Sequence, residues 1–203
     1  MKTFETKTYK IPVLKGLSQK SIDEHLKLYA GYVKNSNLVL EKIEELKKEP
    51  EKNAYALSEI SRRFGFEYNG MRNHEIYFAS LEGGANAIKE KSPLYQAITE
   101  NWGSFEAWLS EFKAIAMTRG IGWAMLYYDY KNSRLLNAWV DEHHIGQLNG
   151  CELILGLDMW EHSFVLDYLP SGKKNYIEDF FVNLNWRVVE ENFLVKNNIA
   201  NNI

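Results

Sequence analysis

The chain is 203 residues long, 45% hydrophobic and 14% aromatic, and its formal charge of −3 comes from 24 basic and 27 acidic side chains. That length suits one domain or two small lobes sharing a core, and it is enough to bury a site completely. The slight acidity gives no basic footprint for nucleic acid, no stretch approaches a membrane span, and the single cysteine, Cys151, excludes an intramolecular disulfide and a thiolate-rich zinc site. Cys151 itself reads as a half-buried small hydrophobe. The amino-terminal MKTFETKTYKIPVL lacks the apolar core and cleavage pattern of a signal peptide. The expectation is a soluble cytoplasmic protein with no nucleic-acid and no membrane partner.

In chain order, Ile22, His25, Leu26, Tyr29, Tyr32 and Val33 form one stripe at helical spacing, followed by a polar break at residues 35–37 and a second, charged helix through Leu46. That pattern predicts a helical hairpin between residues 18 and 50. The interleaved charges of residues 41–52 read as a solvated helix face. A second long helical region covers residues 54–81 and stops at Gly83-Gly84, a pair suited to a carboxyl-terminal cap. Helices near residues 93–100 and 104–118 then lead into IGWAMLYYDY, a polar turn at 131–133, and RLLNAWVD, which together predict a β-hairpin. Residues 152–157 supply a third strand, and residues 176–197 a last helix. The fold class is therefore α+β: an N-terminal helical hairpin lobe over residues 1–88, then an α/β lobe over 89–203 with a three-stranded antiparallel sheet.

The chemistry gathers around LDMWEHSFVLDY, residues 157–168. Asp158 closes the apolar run Leu153, Ile154, Leu155, Gly156, Leu157, where an ionised carboxylate is costly to bury unless something positive meets it. A metal ion would meet it. His162 follows four residues later, so a helical turn directly after the strand would send both side chains to the same side. Of the five histidines, His25 lies on the first apolar stripe and His74 has apolar neighbours at helical spacing in RNHEIYF, so both should point inward. One carboxylate and three imidazoles from separated segments can thus converge between the lobes. Such a set favours iron, manganese or zinc, and the lack of thiolates suits redox or hydrolytic work. A trivalent ion with one carboxylate and one hydroxide carries a charge of about +1, a state that attracts a small anion and accepts one electron with little reorganisation. The same residues also read as hydrogen-bonded core histidines and a capping aspartate, and spacing alone leaves both readings open.

DMWEHSFVLDY followed by KNYIEDFFVNLNWRVV resembles the signature of the iron/manganese superoxide dismutase family, in which D-x-W-E-H precedes a helix of the form Y-L/I-x-x-F/W-x-x-x-x-N-W. SIDEH resembles that family's first-ligand segment, YVKNSN the end of the same helix, the NH of RNHEIYF the second-ligand helix, and GIGWAML its tryptophan-bearing strand. Together these cover most of residues 10 to 195 in the family order. The resemblance implies a mononuclear manganese or iron ion per subunit held by His25, His74, Asp158 and His162, with superoxide as substrate and dioxygen and hydrogen peroxide as products. It places Tyr32 in the substrate channel and Trp123 and Trp160 on the pocket wall. It also implies a homodimer, with a tetramer as the alternative, in which Glu161 accepts the second ring proton of the neighbouring His162.

The chain departs from the family pattern in several places. His25 and Tyr32 are seven residues apart where the family has eight, as if a wide turn had been removed from the helix. Leu28 and Tyr29 replace further histidines, and Val165 replaces a tyrosine, at family positions that pair across the dimer interface. Tyr29 is the candidate for a rebuilt gate. Gly70 occupies the place where iron enzymes carry a glutamine bonded to the metal-bound solvent. On the loop where manganese enzymes carry it, an ungapped reading selects His144, with His143 and Gln147 as neighbours, so His144 and Tyr32 are the expected proton relay. Gly70, Gly156 and the loop position of the donor lean toward manganese, a histidine donor departs from that rule, and both metals stay open. Lys27 or Arg72 is the candidate basic rim for steering the anion. A non-haem iron oxygenase is disfavoured by the helical first lobe, and a non-catalytic metal-binding or structural protein on the same fold by the presence of all four ligands.

Overall fold

The computed structural model describes residues 2–200, with side-chain surroundings as far as Leu194. The first helix, α1 (Gln19–Leu46), starts at Ser18, whose side chain accepts from the backbone of Ser21. It runs on without a break at residues 35–37, which corrects the hairpin expected there. The polar residues serve tertiary contacts instead. Asn37 accepts from the Phe4 backbone N–H at 2.8 Å and donates to the Phe4 carbonyl at 2.9 Å, and Ser36 is fully buried. The helical hairpin is formed by α1 with α2 (Ala54–Leu81).

Two shorter helices follow, α3 (Pro93–Trp102) and α4 (Phe105–Ala116), each begun by a serine whose hydroxyl accepts the third backbone N–H of the turn, Ser92 and Ser104 respectively. Three antiparallel strands come next: β1 (Gly122–Asp129), β2 (Arg134–Asp141) and β3 (Cys151–Asp158), in the order β2-β1-β3. The central strand is buried along almost its whole length, so GWAMLYYD reads as a continuous apolar run and not as an alternation. Its register sets Trp123 opposite Val140 on one side and Asp158 on the other. Gly122 is required at the start of this strand, because a Cβ there would collide with the Val140 carbonyl oxygen.

The single last helix expected over residues 176–197 is two helices, α5 (Lys173–Asn183) and α6 (Trp186–Ala200). The chain breaks between them because the backbone donors of the break bond to other segments: Asn185 N–H to the Ser80 carbonyl at 2.7 Å and Trp186 N–H to the Asn86 carbonyl at 3.1 Å. A helix would have spent both on its preceding turn. The core runs between the sheet and its helices and is dominated by large rings such as Trp108, Phe112, Tyr77, Tyr176 and Phe180. No helix is long and apolar enough to cross a membrane among the described residues. The site described next lies where the facing sides of α1 and α2 meet the carboxyl end of β3.

Candidate metal centre

Four segments each deliver one side chain to this junction. His25 on α1 and His74 on α2 face inward and are buried, Asp158 is the last residue of β3, and His162 sits in a single 3-10 turn, Glu161–Ser163, that begins just after the strand. Asp158 organises that turn: its Oδ1 accepts from the Trp160 N–H at 2.8 Å, while its carbonyl accepts from the hydroxyls of Ser163 at 3.0 Å and Tyr176 at 2.8 Å. The carboxylate is thereby fixed with Oδ2 toward the three imidazoles. The Nε2 atoms of His25, His74 and His162 lie 3.2, 3.4 and 3.2 Å from it. One ligand atom from each of the four residues lies within 4.8 Å of every other.

Whether this set fits a cation is decided by His74. Its Nδ1 is 2.6 Å from the Gly70 carbonyl, which can only accept, so Nδ1 carries the proton and Nε2 the lone pair. That Nε2 is buried and has no hydrogen-bond partner. A buried lone pair left unmatched is costly, and here it faces the other donor atoms, so the residues fit a metal ion. Burial lowers the pKa of His25 and drives that of His74 well below the ordinary value, against the opposing pull of Asp158. Burial alone would raise Asp158, but the positive ends of His162 and His25 outweigh it and hold the carboxyl well below the usual range. His25 and His74 are therefore kept neutral and Asp158 ionised, the protonation states a metal requires.

Three aromatic side chains line up behind the ligands. Trp123 Nε1–H donates to Nδ1 of His143 at 3.0 Å, so the neutral His143 ring carries its proton on Nε2, and that N–H lies 2.7 Å from the Tyr32 hydroxyl. Tyr32 accepts there and keeps its own O–H free. Burial, then the nearby Asp158 carboxylate, raises the Tyr32 pKa above the ordinary phenol value, so the proton stays on. Burial likewise lowers His143 to about 4 and keeps that ring neutral. The structure thus puts His143, and not His144, against Tyr32. Glu142 takes a left-handed backbone (φ 50°) and Asp141 and Ile145 exchange backbone hydrogen bonds, a tight turn that aims residue 143 inward. His144 instead lies beside the Phe66 ring at 5.8 Å with a buried, unpartnered Nδ1. Gln147 fixes the turn from behind, donating to the His143 carbonyl at 3.0 Å and to Asn73 Oδ1 at 3.2 Å.

Comparison with known proteins agrees with this geometry. Residues 90–192 match the model of the iron/manganese superoxide dismutases, C-terminal domain. An iron superoxide dismutase of Aquifex pyrophilus is 32% identical over 185 residues, 89% of this chain and 85% of that protein. One from Cupriavidus metallidurans is 34% identical over 86% of this chain and 87% of its own length, and a manganese superoxide dismutase of Mycobacterium avium is 34% identical over 83% and 80%. The chain belongs to the iron/manganese superoxide dismutase family. It is an oxidoreductase family whose members named here carry iron or manganese, and the buried cluster could hold one such ion per chain.

Measured against the superoxide dismutase pattern, the departures noted in the sequence have physical consequences. Seven residues span close to two turns of a regular helix, so Tyr32 stands nearly above His25 on the same face. Its ring lies directly over Gly70, where an added Cβ would be 2.6 Å from Tyr32 Cδ1. The absent side chain at 70 is the space Tyr32 occupies. A cavity of about 570 Å³ opens outside this layer, lined by Leu28, Tyr32, Arg63, Phe66, Glu67 and Trp160 among others. Trp160 forms the inner wall, stacked on His143 at 4.9 Å with its Nε1–H bound to the Glu142 carbonyl at 3.1 Å.

Tyr29 is not part of this mouth, which corrects its expected role as a gate. It is fully buried, with its hydroxyl accepting from Lys7 N–H at 3.0 Å and donating to Glu75 Oε1 at 3.3 Å. Consecutive helical residues point about 100° apart, so Leu28 reaches the mouth and Tyr29 cannot. Arg72 is also elsewhere, paired with Glu75 at 2.6 Å, while Lys27 is at the rim but paired with Glu24 at 2.7 Å. Arg63, which the sequence did not single out, also lines the mouth, three and four residues before Phe66 and Glu67 on the same face of α2. Glu161 and Val165 are exposed, and the His162 side chain keeps 20% of its surface open.

Proposed function

We propose that this chain disproportionates two superoxide ions and two protons to one dioxygen and one hydrogen peroxide, using an iron or manganese ion held by His25, His74, Asp158 and His162. The observation that carries this reading is the convergence of three imidazoles and one carboxylate around the unpartnered Nε2 of His74. The ion, when bound, supplies reversible one-electron chemistry. Everything else falls to the side chains. Tyr32 holds the proton nearest the pocket, on an oxygen that already accepts from His143 Nε2–H, so its O–H is available to donate inward. Trp123 locks the His143 tautomer that makes this possible. The role expected of His144 belongs, in this reading, to His143. Trp160, Tyr32 and Phe66 form the aromatic layer between the outer cavity and the ligands, which limits the water that reaches them.

The active form is read as a homodimer in the cytoplasm. Exposed Glu161 and the open edge of His162 support a contact in which Glu161 of one subunit accepts from Nδ1 of its partner's His162, orienting that ligand. Leu28 and Val165, both exposed, give that surface an apolar character. The lobes are assigned to residues 1–88 and 89–203. The deciding experiment is superoxide consumption by protein stripped of metal and reloaded separately with iron and with manganese, the metal content being measured each time. Turnover with at least one metal is expected. A fully loaded, folded and inactive protein would overturn the reading and leave a metal-binding structural role.

A further inference from the structure

The mouth of the pocket contains one cation whose side chain is aimed across an aromatic ring instead of into solvent. The Arg63 guanidinium lies 3.7 Å above the centroid of Phe66, and its Nε donates to Glu67 Oε1 at 2.9 Å. Glu67 is 6% exposed, and its second oxygen is buried with no hydrogen bond. No hydrogen bond engages the two terminal nitrogens of Arg63 among the described residues, and the side chain is 52% exposed. The Phe66 ring lies beneath the guanidinium, and its other neighbours include His143 at 4.7 Å, His144 at 5.8 Å, Tyr32 at 6.0 Å and Trp160 at 6.5 Å. The guanidinium is the more open member of the pair, 52% exposed against 8% for the Glu67 side chain, so an anion arriving from solvent meets it first. A planar guanidinium with free N–H groups is also suited to a small oxyanion at two points.

We infer that Arg63, fixed by Phe66 and Glu67, is a docking site for a small monovalent anion at the mouth, from which the anion passes along the Tyr32 and Trp160 wall to the centre. The inference rests on the proposed superoxide chemistry for the identity of the anion, but docking itself can be tested without turnover. Lys27, the other cation of the mouth, is held by Glu24 on the outer rim and is 71% exposed. Solvent and salt screen it strongly, so it contributes less at the point of entry. Without the guanidinium the Glu67 carboxylate stands unopposed, and one unopposed charge at contact distance in a water-like medium changes local anion concentration by about fivefold.

The probe is azide, a small monovalent anion, titrated spectroscopically into the iron-loaded protein, alongside kcat/KM for superoxide at low and high salt. Arg63→Gln is expected to raise the azide Kd and to lower kcat/KM, each by about fivefold at low salt, with kcat changed less and the loss shrinking as salt rises. Arg63→Gln also leaves Glu67 buried and unpaired, so the double variant Arg63→Gln/Glu67→Gln is compared with Glu67→Gln alone. The double variant should remain the weaker binder. Equal azide affinity in those two would show that the arginine only neutralises Glu67, and would overturn the inference. An azide affinity that falls in Arg63→Gln while the parent shows no superoxide turnover would support the docking site and refute the dismutase reading instead.

Discussion

Replacing Gly70 by alanine tests the link between the shortened helix and the proton-holding tyrosine. The added Cβ would stand 2.6, 2.9 and 3.0 Å from Cδ1, Cε1 and Cγ of Tyr32. Carbon atoms in contact ordinarily lie ~3.5–4.0 Å apart, so the ring must retreat by about 1 Å. These are the atoms at the root of the ring, packed against His74 at 5.1 Å and His143 at 4.7 Å, and no free end is available to swing aside. The 2.7 Å bond between Tyr32 and His143 would be lost, since such bonds fade past ~3.2 Å. Alanine in a helix interior gains about 1 kcal/mol over glycine, overpacking costs about 1–3 kcal/mol, and the lost bond about 1 kcal/mol. The balance is a destabilisation of about 1–3 kcal/mol, read as a fall in Tm of roughly 2–10 °C by calorimetry of the metal-loaded protein. Displacing the proton-holding group by this distance should lower kcat about tenfold to a hundredfold with metal content unchanged. A Gly70→Ala protein more stable than the parent, with undiminished kcat, would refute the reasoning that position 70 is empty to admit Tyr32.

The two loop histidines should separate cleanly: His143→Ala is expected to lower kcat at least tenfold at full metal loading, whereas His144→Ala, which removes only a ring beside Phe66, should change it less than threefold; the reverse order would restore the role that the sequence suggested for His144. Acid should destabilise the metal-free protein, because His143 is lowered from 6.5 to about 4 by burial, so the unfolded chain binds a proton that the folded chain refuses. Its contribution, about 3 kcal/mol at ~1.36 kcal/mol per unit, is present above pH 6.5 and disappears as the pH falls toward 4. Denaturant midpoints of the metal-free protein should drop over that window and drop less in His143→Asn; identical slopes in the two proteins would contradict this assignment.

Much of the fold was legible because burial leaves a periodic trace. The bounds of α2, the β-hairpin and the third strand follow from apolar spacing and turn residues, and the inward direction of His25 and His74 follows from the same spacing. The errors share one cause. The break expected at residues 35–37 and the continuous helix expected after 176 both turned on what distant segments offer: Phe4 gives Asn37 a partner and keeps α1 whole, whereas Ser80 and Asn86 draw away the backbone of residues 185 and 186 and split the last helix.

The sequence by itself determined that His25, His74, Asp158 and His162 can converge, since apolar spacing turns the two helical histidines inward and ends a buried strand at the aspartate. The resemblance to the family is what singled them out as a metal-binding set over core histidines and a capping aspartate. Tertiary structure alone decided how the surrounding groups act. His143 and His144 are adjacent and chemically identical, and the left-handed backbone at Glu142 selects the first. Leu28 and Tyr29 are also adjacent, and helix rotation sends one to the mouth and the other beneath the amino-terminal strap. The tautomers of His74 and His143 depend on a carbonyl four residues back and on an indole across the sheet. Spacing encodes the side of an element on which a residue lies, but the direction of a loop side chain and the holder of a shared proton are set by non-local partners that exist only in the folded chain.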